Sequence, residues 1–277
     1  MRSGLRLRRG MVDFGQDLWY TTLKGILSEP VSRTLGGIQV AGLDNVPAAG
    51  PALLVGNHRT VSDPFLLGAV LPRRVQYVVA AFMGKLPFTR ELASSTGNIV
   101  LPVSKGGKSQ ELIRRARRLL RNGRLVGVFP EGMDNFLNGS APGTVSKFHT
   151  TFARLILGLR MPDLPVIPIA ITGEEERIVV KFPAALLKVV DPHIPVDAAG
   201  GIVAPVYNKA RIAVGPPLTF PEVADLPPDA HDDFVAHIVE TVRGEVVRLA
   251  EAPTIAILDA PPRRLSLPGF FDDTDSM

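Results

Sequence analysis

There is no cysteine among the 277 residues. That removes disulfides, a cysteine-ligated zinc site and a thiolate nucleophile. Aromatic residues are scarce at 6%, with one tryptophan, and no nucleic-acid-binding module is recognisable. No uninterrupted apolar run approaches the ~20 residues that a bilayer span needs. Yet 45% of the chain is hydrophobic and its mean hydropathy is +0.19. The apolar excess must lie in a core or on a membrane-facing surface. Net charge is only +4, so basic character counts only where it clusters. No repeat or low-complexity block divides the chain, and its apolar mass suffices for one large core.

Arg2, Arg6, Arg8 and Arg9 crowd the first ten residues. A signal peptide would continue into an unbroken apolar region, but Asp13, Asp17 and Lys24 interrupt it. The same acids argue against a transit peptide. Wound as a helix, these three share a narrow stripe, and Met11, Phe14, Leu18, Trp19, Leu23 and Ile26 fill much of the remainder. Two readings suit the pattern: a helix lying in a membrane interface, or one that packs on the domain. The arginines favour the membrane. Residues 1–36 are read as an amphipathic membrane-associating extension and 37–255 as the domain. Residues 256–277, dense in prolines and acids, are read as a loose tail.

Within the domain, strand and helix patterns alternate. "IQVAGLDNVP" reads as a short strand and turn, and "PALLVGN" as a buried strand. "DPFLLGAVL" begins as a helix, with Asp63 as candidate N-cap and Pro64 at the first helical position. "VQYVVA" and "GNIVLPV" are further strands. Residues 109–122 form the clearest helix, with Leu112, Ile113, Ala116, Leu119 and Leu120 on one face, arginines opposite and Gly123 as C-cap. "RLVGVF" reads as a buried strand, "SKFHTTFARLILGL" as a helix and "LPVIPIAIT" as another strand. Beyond Phe182 the pattern is less regular. "ARIAVGPPL" reads as an edge strand and "HDDFVAHIVETVRGEVVRLAEA" as a long amphipathic helix. The alternation predicts an α/β fold with a largely parallel central sheet flanked by helices.

His58 follows directly on one buried strand, and Glu131, in "VFPEG", follows directly on another. Ligands of open α/β sheets gather at the carboxyl ends of the strands, so the two are expected to converge in one crevice. Asp63 can accept a hydrogen bond from the imidazole and fix which nitrogen is basic. Such a pair is the deprotonating half of a triad with no protein serine required, and the substrate's own hydroxyl can be the nucleophile that attacks an acyl thioester. Alone, a histidine and an aspartate five apart say little. Between "LLVGN" and "PFLLG", with "FPEG" after a strand, the pattern becomes specific.

Over roughly residues 37–220 the chain resembles the glycerophospholipid acyltransferase family, which includes lysophosphatidic acid acyltransferases and tafazzin. "NHRTVSD" resembles its first motif, "GNIVLPV" falls at the second, "VFPEG" resembles the third, and "LPVIPIAI", with Pro168, is similar to the fourth. The resemblance implies His58 as base, Asp63 as its partner, and Glu131, Gly132 and Pro130 at the acceptor site. It implies transfer of a fatty acyl group from acyl-CoA or acyl carrier protein to a lysophospholipid-type acceptor. That work would be done peripherally on the cytoplasmic side of the membrane, without metal or cofactor. The rivals are the same chemistry on another lipid alcohol, such as a glycolipid, and a catalytically silent membrane-binding relative.

Two departures concern the acceptor. Where the third motif of the family runs on to an arginine, this chain has Met133, Asp134 and Asn135, so Asp134 and Asn135 are expected at the acceptor. The second motif also ends without its arginine, and Lys105 is the nearest cation. Lys105, Lys108, Lys147 and His149 are candidate contacts to the donor or to phosphate. "PVSKGGKSQ" nearly matches a nucleotide-binding loop, but position 102, where its first glycine would fall, is proline, which lacks the N–H that the cradle uses. The arginines of 109–122 read as a solvated face, with anionic lipid a more natural partner than nucleic acid. His193, His231 and His237 show no metal-ligand spacing.

Overall fold

The computed structural model describes residues 38–60, 62–79, 97–100, 108–132, 143–173, 176–183, 201–207 and 209–252. The segments 1–36 and 256–277 fall outside these residues. In chain order the elements are β1 (Ile38–Ala41), β2 (Ala52–Gly56), α1 (Asp63–Val70), β3 (Val75–Val79), β4 (Ile99–Val100), α2 (Lys108–Arg121) and β5 (Leu125–Val128). They continue with α3 (Thr151–Leu159), β6 (Val166–Gly173), β7 (Glu176–Pro183), β8 (Gly201–Tyr207), β9 (Ala210–Val214) and α4 (His231–Glu251).

Seven strands form one sheet in the order β1-β9-β6-β2-β5-β3-β4, and β7 pairs with β8 in a separate antiparallel hairpin. From β6 to β4 every pairing is parallel. β9 joins β6 antiparallel, and β1 runs parallel to β9. The parallel centre was legible because β2, β5 and β6 are almost wholly buried and read as unbroken apolar runs.

Alternate side chains of these strands serve opposite layers. Leu53, Val55, Val126 and Val128 meet α2, α3 and α4 on one face, while Ala52, Leu54, Leu125 and Ile167 meet α1 on the other. α2 docks through Leu112, Ala116 and Leu120, four residues apart on one stripe, each contributing to a core where burial of a leucine is worth roughly 1.5–3 kcal/mol.

Four expectations change. β9, read as an edge, is covered by β1 in the register Ile38↔Ala210, and its Arg211 reaches the carbonyls of Leu249, Ala250 and Ala252 at the end of α4. Asp63 is the first residue of α1 rather than its cap: Ser62 holds the cap position, without a side-chain capping bond, and the Asp63 carboxylate turns back towards residues 58–60. The helix expected from Ser146 begins only at Thr151, because the backbone before it bonds to other segments. Between Thr172 and Ala210, where the pattern assigned no element, β7 and β8 form a hairpin, and β7 begins at Glu176, ahead of Phe182.

Candidate active site

β2 and β5 are sheet neighbours, with Val55 opposite Val128. The residues just beyond their carboxyl ends, His58 and Glu131, are therefore brought side by side. Asn57 secures the exit from β2. Its amide donates to the Ile171 carbonyl at 2.8 Å and its oxygen accepts the Ile171 N–H at 2.7 Å, adding one rung of ladder to β6.

His58 Nδ1 lies 2.9 Å from Asp63 Oδ2. The same oxygen accepts the backbone N–H groups of Arg59 at 2.7 Å and Thr60 at 2.9 Å. Asp63 Oδ1 accepts the Tyr207 hydroxyl at 3.1 Å. Asp63 is fully buried, and four donors make a buried carboxylate tolerable. Facing an acceptor-only anion, Nδ1 carries the proton, which leaves the lone pair on Nε2. The imidazole also stacks on Phe129 at 4.4 Å and 18°, and Phe129 stacks on Tyr77 at 5.5 Å and 9°. The ring is held both in its plane and across its face, with 18% of the side chain open to solvent.

Glu131 is completely buried. Its Oε2 accepts the His58 N–H and its Oε1 the Ser146 N–H, both at 2.5 Å. Burial pushes this carboxyl above the usual carboxylate range, against the opposing pull of those two N–H groups. As placed, the carboxylate joins two backbone segments.

The stretch 143–149 is pinned from several sides. Arg59 Nη1 donates to the Thr144 carbonyl at 3.3 Å, Arg243 donates to Val145 and Ser146 at 3.0 and 2.9 Å, and the His149 N–H meets the Pro130 carbonyl at 2.9 Å. Lys147 and His149 are exposed on this shelf, whereas Pro130 is buried. Gly132 has φ +62°, and a Cβ there would sit 3.5 Å from the His149 ring, so the backbone conformation more than crowding favours glycine.

A positioned imidazole with an orienting carboxylate suits deprotonation of a substrate hydroxyl. Among the described residues no cluster of histidine, aspartate and glutamate could hold a metal ion. The family model described as Acyltransferase matches residues 37–172, which include this whole constellation except Tyr207 and Arg243. The chain carries an acyltransferase domain.

Around this acyltransferase domain the wider likeness is distant. An uncharacterised protein of Mycobacterium tuberculosis is 28% identical over 235 residues, 76% of this chain and 61% of that protein. The chain thus spans about three fifths of that relative's length, 61%. The 1-acyl-sn-glycerol-3-phosphate acyltransferase of Saccharomyces cerevisiae is 21% identical over 148 residues, 52% of this chain and 46% of that one. The crystal structure of the 1-acyl-sn-glycerophosphate (LPA) acyltransferase of Thermotoga maritima aligns with a TM-score of 0.47 and 16% identity, over 87% of this chain and 88% of that chain.

Of the candidates read from sequence, the acyltransferase domain brings His58, Asp63, Glu131, Pro130, Gly132, Lys147 and His149 into one neighbourhood. Lys108 opens α2, and Lys105, Asp134 and Asn135 lie outside the described residues. His231 and His237 sit on α4, where His231 faces the Leu226 carbonyl and His237 pairs with Thr241. Among contributors that were not foreseen, Asn57 and Phe129 adjoin residues that were singled out. Tyr207 is 144 positions from Asp63, and Arg243 is 97 from Ser146, with no local signal. Among the described residues no helix is long and apolar enough to cross a membrane.

Proposed function

We propose that the chain transfers a fatty acyl group from a thioester, acyl-CoA or acyl carrier protein, to the hydroxyl of a lysophospholipid-type acceptor. The observation that carries this reading is the Nδ1 contact of His58 with Asp63, which leaves Nε2 basic at the carboxyl end of the sheet. Nε2 takes the acceptor's hydroxyl proton as the oxygen attacks the thioester carbonyl. Collapse of the tetrahedral adduct expels the thiolate, which leaves protonated, and the imidazole returns to its neutral form. No resident cofactor or metal enters this scheme.

The chain is proposed to work peripherally on the cytoplasmic side of the membrane. Residues 1–36 act as the membrane-associating segment, 37–255 as the catalytic domain and 256–277 as a tail.

The acceptor class follows from residues 133–135. A phosphomonoester carries up to two charges and is well met by a bidentate arginine. Met133, Asp134 and Asn135 offer no cation, and Asp134 adds an anion. Such a site favours a phosphodiester lysolipid, whose head group can meet Asp134 and Asn135. The test presents purified protein with a panel of lysolipids and an acyl-CoA, following thiol release, with lysophosphatidic acid and diester lysophospholipids competing at equal surface density. Diester acceptors are expected to win. Clear preference for lysophosphatidic acid overturns the acceptor assignment, and no thiol release with any acceptor overturns the activity.

A further inference from the structure

Tyr207 closes β8, outside residues 37–172, yet its hydroxyl reaches the carboxylate that orients the imidazole. The two oxygens of Asp63 are served unequally. Oδ2 has three donors, His58 Nδ1 and the backbone N–H groups of Arg59 and Thr60. Among the described residues, Oδ1 has one donor, Tyr207. Asp63 is wholly buried, so an oxygen deprived of that donor gains no ready substitute from solvent. The carboxylate would swing to find one, and any swing drags Oδ2 out of line with Nδ1.

The fold also makes room for this phenol. Tyr207 is 1% exposed, and its ring occupies the space beside Gly173 at the end of β6. A Cβ on Gly173 would lie 2.3 Å from Tyr207 Cδ1, closer than atoms can approach, so the glycine admits the ring. Pairing of Tyr207 with Glu176 in the hairpin sets the depth at which the ring enters. A buried tyrosine usually finds a partner for its hydroxyl. Here the partner is the carboxylate that fixes the imidazole tautomer.

The geometry points to Tyr207 as a positioning residue for acyl transfer, extending the pair to a chain of Tyr207, Asp63 and His58 that only the hairpin of β7 and β8 completes. This rests on the proposed activity for its kinetic consequence, though not for the contact itself. Tyr207 touches no reacting atom and acts through the alignment of Asp63.

The test is Tyr207→Phe, with two readouts. In turnover, kcat falls about tenfold, the scale of one hydrogen bond to a charged group, while KM for donor and acceptor stays unchanged. In protein labelled with 15N-histidine, the His58 imidazole resonance moves and those of the other four histidines do not. Wild-type kcat with an unmoved His58 resonance overturns the inference. Activity lost only in proportion to folded protein, with the resonance unmoved, also overturns it. Should Tyr207→Phe not fold, 3-fluorotyrosine incorporated in a Tyr77→Phe background, where two of the three tyrosines remain, changes the acidity of the phenol and keeps its shape. The His58 resonance must still move, and a stationary one overturns the inference. If wild-type protein releases thiol with no acceptor, the functional reading fails while the resonance still decides the role of Tyr207.

Discussion

Glu131 Oε2 accepts the backbone N–H of His58 at 2.5 Å, while Oε1 accepts that of Ser146 at the same distance. One buried carboxylate thus ties the exit of β5 to the exit of β2 and to the shelf carrying Lys147 and His149. Glu131→Gln keeps the shape but turns an N–H₂ against one of those N–H groups. The expected cost is about 1–3 kcal/mol of stability, the range for a buried donor left without an acceptor, together with a fall in turnover as His58 shifts. Denaturant unfolding and thiol release measure the two. Full turnover in folded Glu131→Gln protein would show that the link is dispensable.

The same residue sets a pH dependence. Burial raises the Glu131 carboxyl above its unfolded value. Between the ordinary carboxyl range and that raised value, the folded chain holds a proton that the unfolded chain has released. Its contribution is therefore complete below the unfolded pKa and is lost as pH rises through the folded one. Melting temperature is expected to decline across that window in wild type relative to Glu131→Gln. Parallel profiles for the two proteins count against the assignment.

His58→Ala is expected to lower turnover by roughly 100-fold to 10,000-fold, the scale for loss of a general base. Asp63→Asn should impair turnover too, by removing the charge that holds Nδ1–H. Its folding cost is expected to be small. The asparagine oxygen can keep the bonds to Arg59 and Thr60, and the Tyr207 hydroxyl can rotate to accept from the new amide. Initial rates and thermal melts separate the effects, and thiol release from His58→Ala at the wild-type rate rules out the mechanism.

Removal of residues 1–27 is expected to move the protein from liposomes to the soluble fraction. The shift should be largest for vesicles rich in anionic lipid at low salt, where surface charge is least screened. Unchanged co-sedimentation would mark that segment as a packing element and direct attention to the arginines of α2.

Much of this protein was determined by its sequence. Unbroken apolar runs at 52–56, 125–128 and 166–171 predicted buried parallel strands, and the four-residue spacing of Leu112, Ala116 and Leu120 predicted α2, because burial imprints local periodicity. His58 and Glu131 each followed such a run, so their convergence was legible before any coordinates. Asp63 was read as the partner of the imidazole, but also as a helix cap, since aspartate before proline carries the same local signal in either role. What tertiary structure alone decided depends on sheet order and on pairs distant along the chain. β9 reads as an edge strand until β1 covers it. Nothing local to Glu131 marks the two backbone amides, of His58 and Ser146, that its carboxylate binds. Arg243 on α4 and Tyr207 on β8 carry no mark of the groups they reach, 97 and 144 residues away. Periodicity reports which face of a segment is buried, whereas a hydrogen bond across such a span exists only once the intervening elements have packed.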